Sequence, residues 1–160
     1  LHSDDIICDK DLLMKIYNLK MLDLDFITTG VKIINSEGKI LRKWIFNENK
    51  DFFGYSDIPP HTGFIYKREL HDIFGYYSLD YPICADFDFM LRYFSSMKNK
   101  TKFKVINTYS ISMLFGGDST NLRNIFKVFN EDRLIFKSQK KNFPFLISIK
   151  KKIGKIKQFQ

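Results

Sequence analysis

The stretch "HTGFIYKRELHDIFGYYSLDYPICADFDFMLR", residues 61–92, decides the fold. From Thr62, "TGFIYKREL" reads as a short strand running into a helix, and Gly75 marks a turn after it. Beyond the turn, "ADFDFMLRYFSSM" (85–97) spaces Phe89, Met90 and Phe94 as the core-facing side of a longer helix. Strand, helix, turn and helix in that order belong to an α/β layout.

Working outward keeps to the same grammar. Upstream, "CDKDLLMKIYNLK" places Leu12, Leu13, Ile16 and Tyr17 at helical spacing, which predicts about three turns with Asp9 as N-cap. "DFITTGVKIINSEGKILRKWIF" (25–46) is rich in β-branched residues on both sides of Ser36-Glu37-Gly38, the pattern of a β-hairpin turning there. "NENKDFFGYSDIPP" (47–60) reads as a loop closed by Pro59-Pro60. Downstream, "KTKFKVINTYSISML" alternates like a strand, "FGGDST" is a glycine loop, and "NLRNIFKVFNEDRLIFKSQKK" is a second long helix. The expected order is α, ββ, β, α, β, α, α.

Composition sets the bounds. At 160 residues, with 44% hydrophobic and 16% aromatic side chains, the chain has the make-up of one folded domain. No run approaches the roughly 18 apolar residues that a membrane span needs, so a soluble or peripheral protein is expected. Cys8 and Cys84 show no CxxC pairing and no neighbouring His at ligand spacing, which predicts reduced, buried thiols. The net charge of +8 is not spread evenly. Residues 1–119 carry 15 Lys and Arg against 16 Asp and Glu, whereas residues 120–160 carry 11 against 2. A nucleic-acid module more often spreads basic residues over its folded face, so no nucleic-acid partner is expected. The tail "FPFLISIKKKIGKIKQFQ" instead mixes Phe143, Phe145, Leu146, Ile149, Ile153 and Ile156 with lysines, a composition suited to an anionic membrane surface.

Three blocks in order, "LHSDD" (1–5), residues 61–92 and "FGGDST" (115–120), together resemble the family 2 glycosyltransferases of bacterial polysaccharide assembly, which have the GT-A fold. The resemblance covers nearly the whole chain. It implies that residues 1–140 are the acceptor-side, C-terminal half of a Rossmann-like GT-A domain, a mixed sheet flanked by helices. The chain is then expected to start at the metal motif, with the nucleotide-binding half absent, and residues 141–160 to be a basic amphipathic tail. A sheet cut there should have an open edge, and the fragment alone should bind nucleoside diphosphates no better than millimolar.

The resemblance also assigns roles. Asp4 and Asp5 stand at the DxD-like motif that holds Mg²⁺ or Mn²⁺ against the donor diphosphate, and His2 stands beside them where many relatives have Asp or Asn. Hard divalent cations with oxygen ligands suit a leaving group of that charge. Asp86 takes the position of the catalytic base of an inverting transfer. As a residue type, Asp at a helix start is also a favoured cap. His61, Asp88, Arg92, Gly116 and Gly117 fall at positions near donor or acceptor; Asp88 and Arg92 are also spaced i, i+4 as a surface ion pair would be. The implied donor is a nucleotide sugar, a UDP-sugar by preference, and the implied acceptor a glycan or polyprenyl-linked glycan. The implied setting is cell-surface polysaccharide synthesis in the cytoplasm or at the inner face of the membrane. A truncated, catalytically inactive remnant and a basic membrane-surface or nucleic-acid binding module are the alternatives.

Overall fold

The computed structural model describes residues 5–19, 23–47, 58–97, 101–117 and 121–156, except for the side chains of 122, 150 and 152–156. Its centre is strand β2, Phe26–Ile34, whose sequence FITTGVKII is buried along nearly its whole length. A strand with both faces covered needs apolar or small residues throughout, and β-branched side chains fit that pleat. The other strands are β1 (Ile6–Ile7), β3 (Ile40–Trp44), β4 (Phe64–Tyr66) and β5 (Phe103–Leu114). On one edge β2 pairs antiparallel with β4 and then β3; on the other it runs parallel to β5, and β1 lies antiparallel outside β5. The result is an open, five-stranded mixed sheet flanked by helices, an α/β fold.

The predicted hairpin forms. Gly38 turns the chain at a φ of 82°, where an L side chain would be strained, and the Asn35 carboxamide oxygen accepts from the amides of Glu37 and Lys39. Of the loop predicted at 47–60, residues 48–57 lie outside the described residues.

Helix α1, Leu12–Asn18, covers one face of the sheet: Leu12 packs with Ile27, Val31, Ile106 and Ile111. It has about two turns rather than three, and Asp9 does not cap it. Instead the Asp9 carboxylate accepts from Lys15 Nζ at 2.6 Å, from the Asp11 amide at 3.1 Å and from Ser110 Oγ at 3.1 Å. Asp9 therefore ties the entry of α1 to β5, and Lys15 holds its carboxyl below the usual range. Cys84 is buried as expected, but Cys8 is exposed, with Sγ 2.9 Å from Ser112 Oγ; β1 is an edge strand with nothing over it in that direction among the described residues.

The opposite face carries α2 (Leu70–Phe74), α3 (Ala85–Met97) and α4 (Ile125–Ser138). The core there is aromatic. Phe26 stacks on Phe103 at 5.0 Å and meets Tyr93 and Phe94 edge-on, while Phe87, Phe89, Met90, Ile135 and Phe136 complete the cluster. Each such side chain, fully buried, contributes about 1.5–3 kcal/mol relative to exposure. Helix α3 matches its predicted span, and Phe89, Met90 and Phe94 are buried as predicted.

The described part of the C-terminal segment docks on α4. Helix α5, Pro144–Ile156, folds back on α4, and Lys151 Nζ reaches Asp132 Oδ1 at 2.5 Å while lying 3.1 Å from the centre of the Phe87 ring. A purely solvated tail would leave that lysine in water.

A 3₁₀ turn, His61–Gly63, packs against β2, β5 and α3. It comes so close to the sheet that a Cβ on Gly63 would stand 2.3 Å from the Thr29 carbonyl oxygen, a backbone atom that cannot swing aside. Gly63→Ala is therefore expected to destabilise the fold by about 3 kcal/mol or more, read as a lower urea midpoint at unchanged slope. A cost under about 0.5 kcal/mol would show that the turn sits further from β2 in solution.

Candidate functional site

The arrangement with chemical potential lies where the 3₁₀ turn meets the first turn of α3. Pro60, at φ −63°, leads the chain into the turn, and Gly63 presses it onto β2. Thr62 Oγ1 donates to Met113 Sδ at 3.2 Å, pinning the turn to β5. These contacts fix His61 so that its Nδ1 stands 3.1 Å from Asp86 Oδ2. Both side chains are partly open, 27% exposed for His61 and 36% for Asp86.

Asp86 does not cap α3, which begins one residue earlier at Ala85. The cap comes from across the core. Glu131 of α4 presents Oε2 to the amides of Ile83 (3.0 Å) and Cys84 (2.9 Å), which satisfies donors at the start of α3. With that end closed by Glu131, the Asp86 carboxylate faces His61. It lies in the first turn of a 13-residue helix. A partly exposed carboxylate paired with an imidazole can take a proton from a hydroxyl brought against it.

The register of the sheet brings the other blocks to the same end. β1 pairs with β5 through Ile6↔Ser112 and Ile7↔Ile111, so the same register sets Asp5 opposite Met113, the residue that holds Thr62. Gly116 and Gly117 follow immediately beyond the end of β5, where the Phe115 amide donates to Ile34 O at 2.8 Å. Gly116 has a φ of 122°, which explains the glycine, and a Cβ on either residue would meet nothing within 4 Å. Asp5, the His61 turn and the glycine loop thus all lie toward the C-terminal end of β5.

Asp88 and Arg92 form the expected i, i+4 pair, with Arg92 Nε 2.9 Å from Asp88 Oδ2, but it is not a surface pair. Asp88 is buried, and the Arg92 guanidinium also donates to the carbonyls of Phe74 and Tyr76 and lies over the Phe89 ring. Both residues are engaged in holding the loop after α2 against α3. They position the scaffold and do not present free groups to a ligand.

His2 and Asp4 lie outside the described residues, as do Asp118, Ser119 and Thr120. Among the described residues no group of three or more His, Cys, Asp or Glu is placed to hold a metal ion. Of the acidic motif only Asp5 is within them, half-buried beside β1.

Sequence reading missed Glu131 and Asp132. A signal existed: they share the stripe of α4 that carries Val128, Ile135 and Phe136, so two adjacent carboxylates point where a helix buries its apolar face. Carboxylates in that position need partners, and here each has one.

No protein-family model, no curated protein and no solved structure gives a significant match to this chain. Among the described residues no helix is long and apolar enough to cross a membrane.

Proposed function

We propose that the chain carries the acceptor-side part of an inverting glycosyltransferase site that moves a sugar from a nucleotide-sugar donor to a glycan or polyprenyl-linked acceptor. The observation that supports this reading is the His61–Asp86 contact of 3.1 Å in the first turn of α3, at the end of the sheet where the glycine loop and Asp5 also lie. Asp86 acts as the base. It takes the proton of the acceptor hydroxyl as that oxygen forms its bond to the anomeric carbon, and the bond from that carbon to the diphosphate breaks, releasing a nucleoside diphosphate. His61 orients the Asp86 carboxylate and keeps one of its oxygens engaged, leaving the other for the hydroxyl. Asp88 and Arg92 keep the preceding loop packed on α3 so that the first turn holds its place.

Asp4 and Asp5 are the residues that would hold Mg²⁺ or Mn²⁺, and a bound divalent cation supplies neutralisation of the charge on the departing diphosphate. This assignment rests on the sequence resemblance. The preferred donor, a UDP-sugar, and a role in cell-surface polysaccharide synthesis at the cytoplasmic side rest on it as well.

The test is release of nucleoside diphosphate by the complete protein from a panel of nucleotide sugars, with Mn²⁺ or with EDTA, in the presence of polyprenyl-phosphate-linked sugars. Acceptor-dependent, EDTA-sensitive release is the expected result. Absence of release across the panel, with the protein folded by circular dichroism, overturns the reading.

A further inference from the structure

We propose that α4 and α5 together form a docking platform for an anionic lipid surface. Glu131 and Asp132 are the only acidic residues between positions 121 and 160. Both are buried and both are consumed inside the protein, Glu131 on the amides that open α3 and Asp132 on Lys151. Of the 11 Lys and Arg in the same segment, Lys151 is the one neutralised in that internal pair. Arg123, Lys127, Arg133, Lys137 and Lys140 are exposed. Among the described residues, the outside of α4 and its flanking turns therefore shows cationic side chains and no anionic ones.

Apolar side chains lie among these cations. On α4, Phe126, Arg133, Leu134 and Lys137 fall on one helical stripe, since 126, 130, 133, 134 and 137 repeat at helix spacing. Phe126 is 85% exposed, an unusual state for a phenylalanine. Arg133, Leu134 and Lys137 share a shallow groove with Pro144 and Phe145, so the stripe continues directly onto α5. There Phe145, Leu146 and Ile149 are exposed, and Phe143 stands out at the turn between the helices.

Lysine and arginine around exposed phenylalanine, leucine and isoleucine match a bilayer interface in both respects: the cations meet lipid phosphates and the apolar tips enter the acyl boundary. A nucleic acid would use the cations and could stack on phenylalanine, but has no use for Leu134, Leu146 and Ile149. The platform is also rigidly joined to the candidate site, because the helix that carries Arg133 and Lys137 also supplies the Glu131 cap of α3. This inference does not depend on the transferase reading, and its test needs no activity.

Flotation with phosphatidylcholine vesicles, with and without phosphatidylglycerol, reads it out. The wild-type chain is expected to float with the anionic vesicles and to stay behind with the neutral ones. Arg133→Glu combined with Lys137→Glu should lower the anionic partition coefficient by about tenfold or more, and Phe126→Ser should lower it severalfold. All these positions are exposed, so the variants should keep the wild-type melting temperature. Recovery with neither vesicle, equal recovery with both, or wild-type flotation of the double reversal would overturn the proposal. So would displacement from anionic vesicles by a single-stranded oligonucleotide that binds the Phe126→Ser variant as well as wild type; that outcome would assign the platform to nucleic acid.

Discussion

Asp86→Asn is expected to lower sugar transfer by the complete protein by at least about a hundredfold, with unfolding and donor binding close to wild type. The amide keeps the size and one acceptor oxygen of the carboxylate but cannot take the hydroxyl proton. The usual objection to such a variant is that an aspartate in the first turn of a helix supports that helix, so lost activity could follow lost structure. Here the capping contacts at the start of α3 come from Glu131, and Asp86 accepts no part of that load. Its loss should therefore appear in kcat rather than in the urea midpoint. His61→Gln supplies the complementary readout: a positioning residue should reduce kcat less than Asp86→Asn does and should shift the pH profile of the rate. Near-normal transfer by Asp86→Asn would remove it as the base.

Asp132→Ala should cost about 3–5 kcal/mol of stability, because it leaves a buried ammonium without its counter-charge. Lys151 and Asp132 have side chains only 7% and 2% exposed, and the ammonium sits over the face of Phe87. The ring offers that cation a partial replacement, but water cannot easily reach it. Helix α5 is then expected to detach so that Lys151 can be solvated, exposing the part of Ile135 and Phe136 that α5 helps to cover. The double variant Asp132→Leu with Lys151→Met separates pairing from packing. It removes both charges at similar volume and should be nearly neutral or stabilising. Urea unfolding of the two variants side by side decides the matter; a cost under about 1 kcal/mol for Asp132→Ala would mean that α5 leaves the pair open to water in solution.

The features legible in the sequence are those set by neighbours along the chain. The 26–46 hairpin depends on β-branched runs and on a glycine at positive φ, and α3 on an apolar stripe at helical spacing. Strand β1 is only two residues long and exists through its partner β5, so no local pattern announces it. The spacing of Asp88 and Arg92 announces their contact, but not its burial, which comes from the carbonyls of Phe74 and Tyr76. His61 and Asp86 are each visible as polar residues within the 61–92 block, yet their meeting depends on Gly63 being pressed to β2 and on a cap donated from residue 131. Both of those are long-range facts. The glycine at 30 is a similar case: a Cβ there would collide with the Tyr109 ring and the Thr108 carbonyl, where β5 bulges past β2.

The parallel ladder between β2 and β5 also governs how the chain must fold. Phe26 meets Phe103, its register partner, only 77 residues later, and every rung from there to Ile34↔Leu114 has a comparable separation. Closing loops of that length is entropically slow, and topologies dominated by such pairings fold in milliseconds to seconds rather than microseconds. During synthesis the hairpin of β2 and β3 emerges first and has to wait, with one side of its most apolar strand unpaired, until β5 leaves the ribosome. Crowded expression should therefore favour strand-to-strand association between nascent chains, and slower translation across residues 47–102 would lengthen that vulnerable interval rather than relieve it.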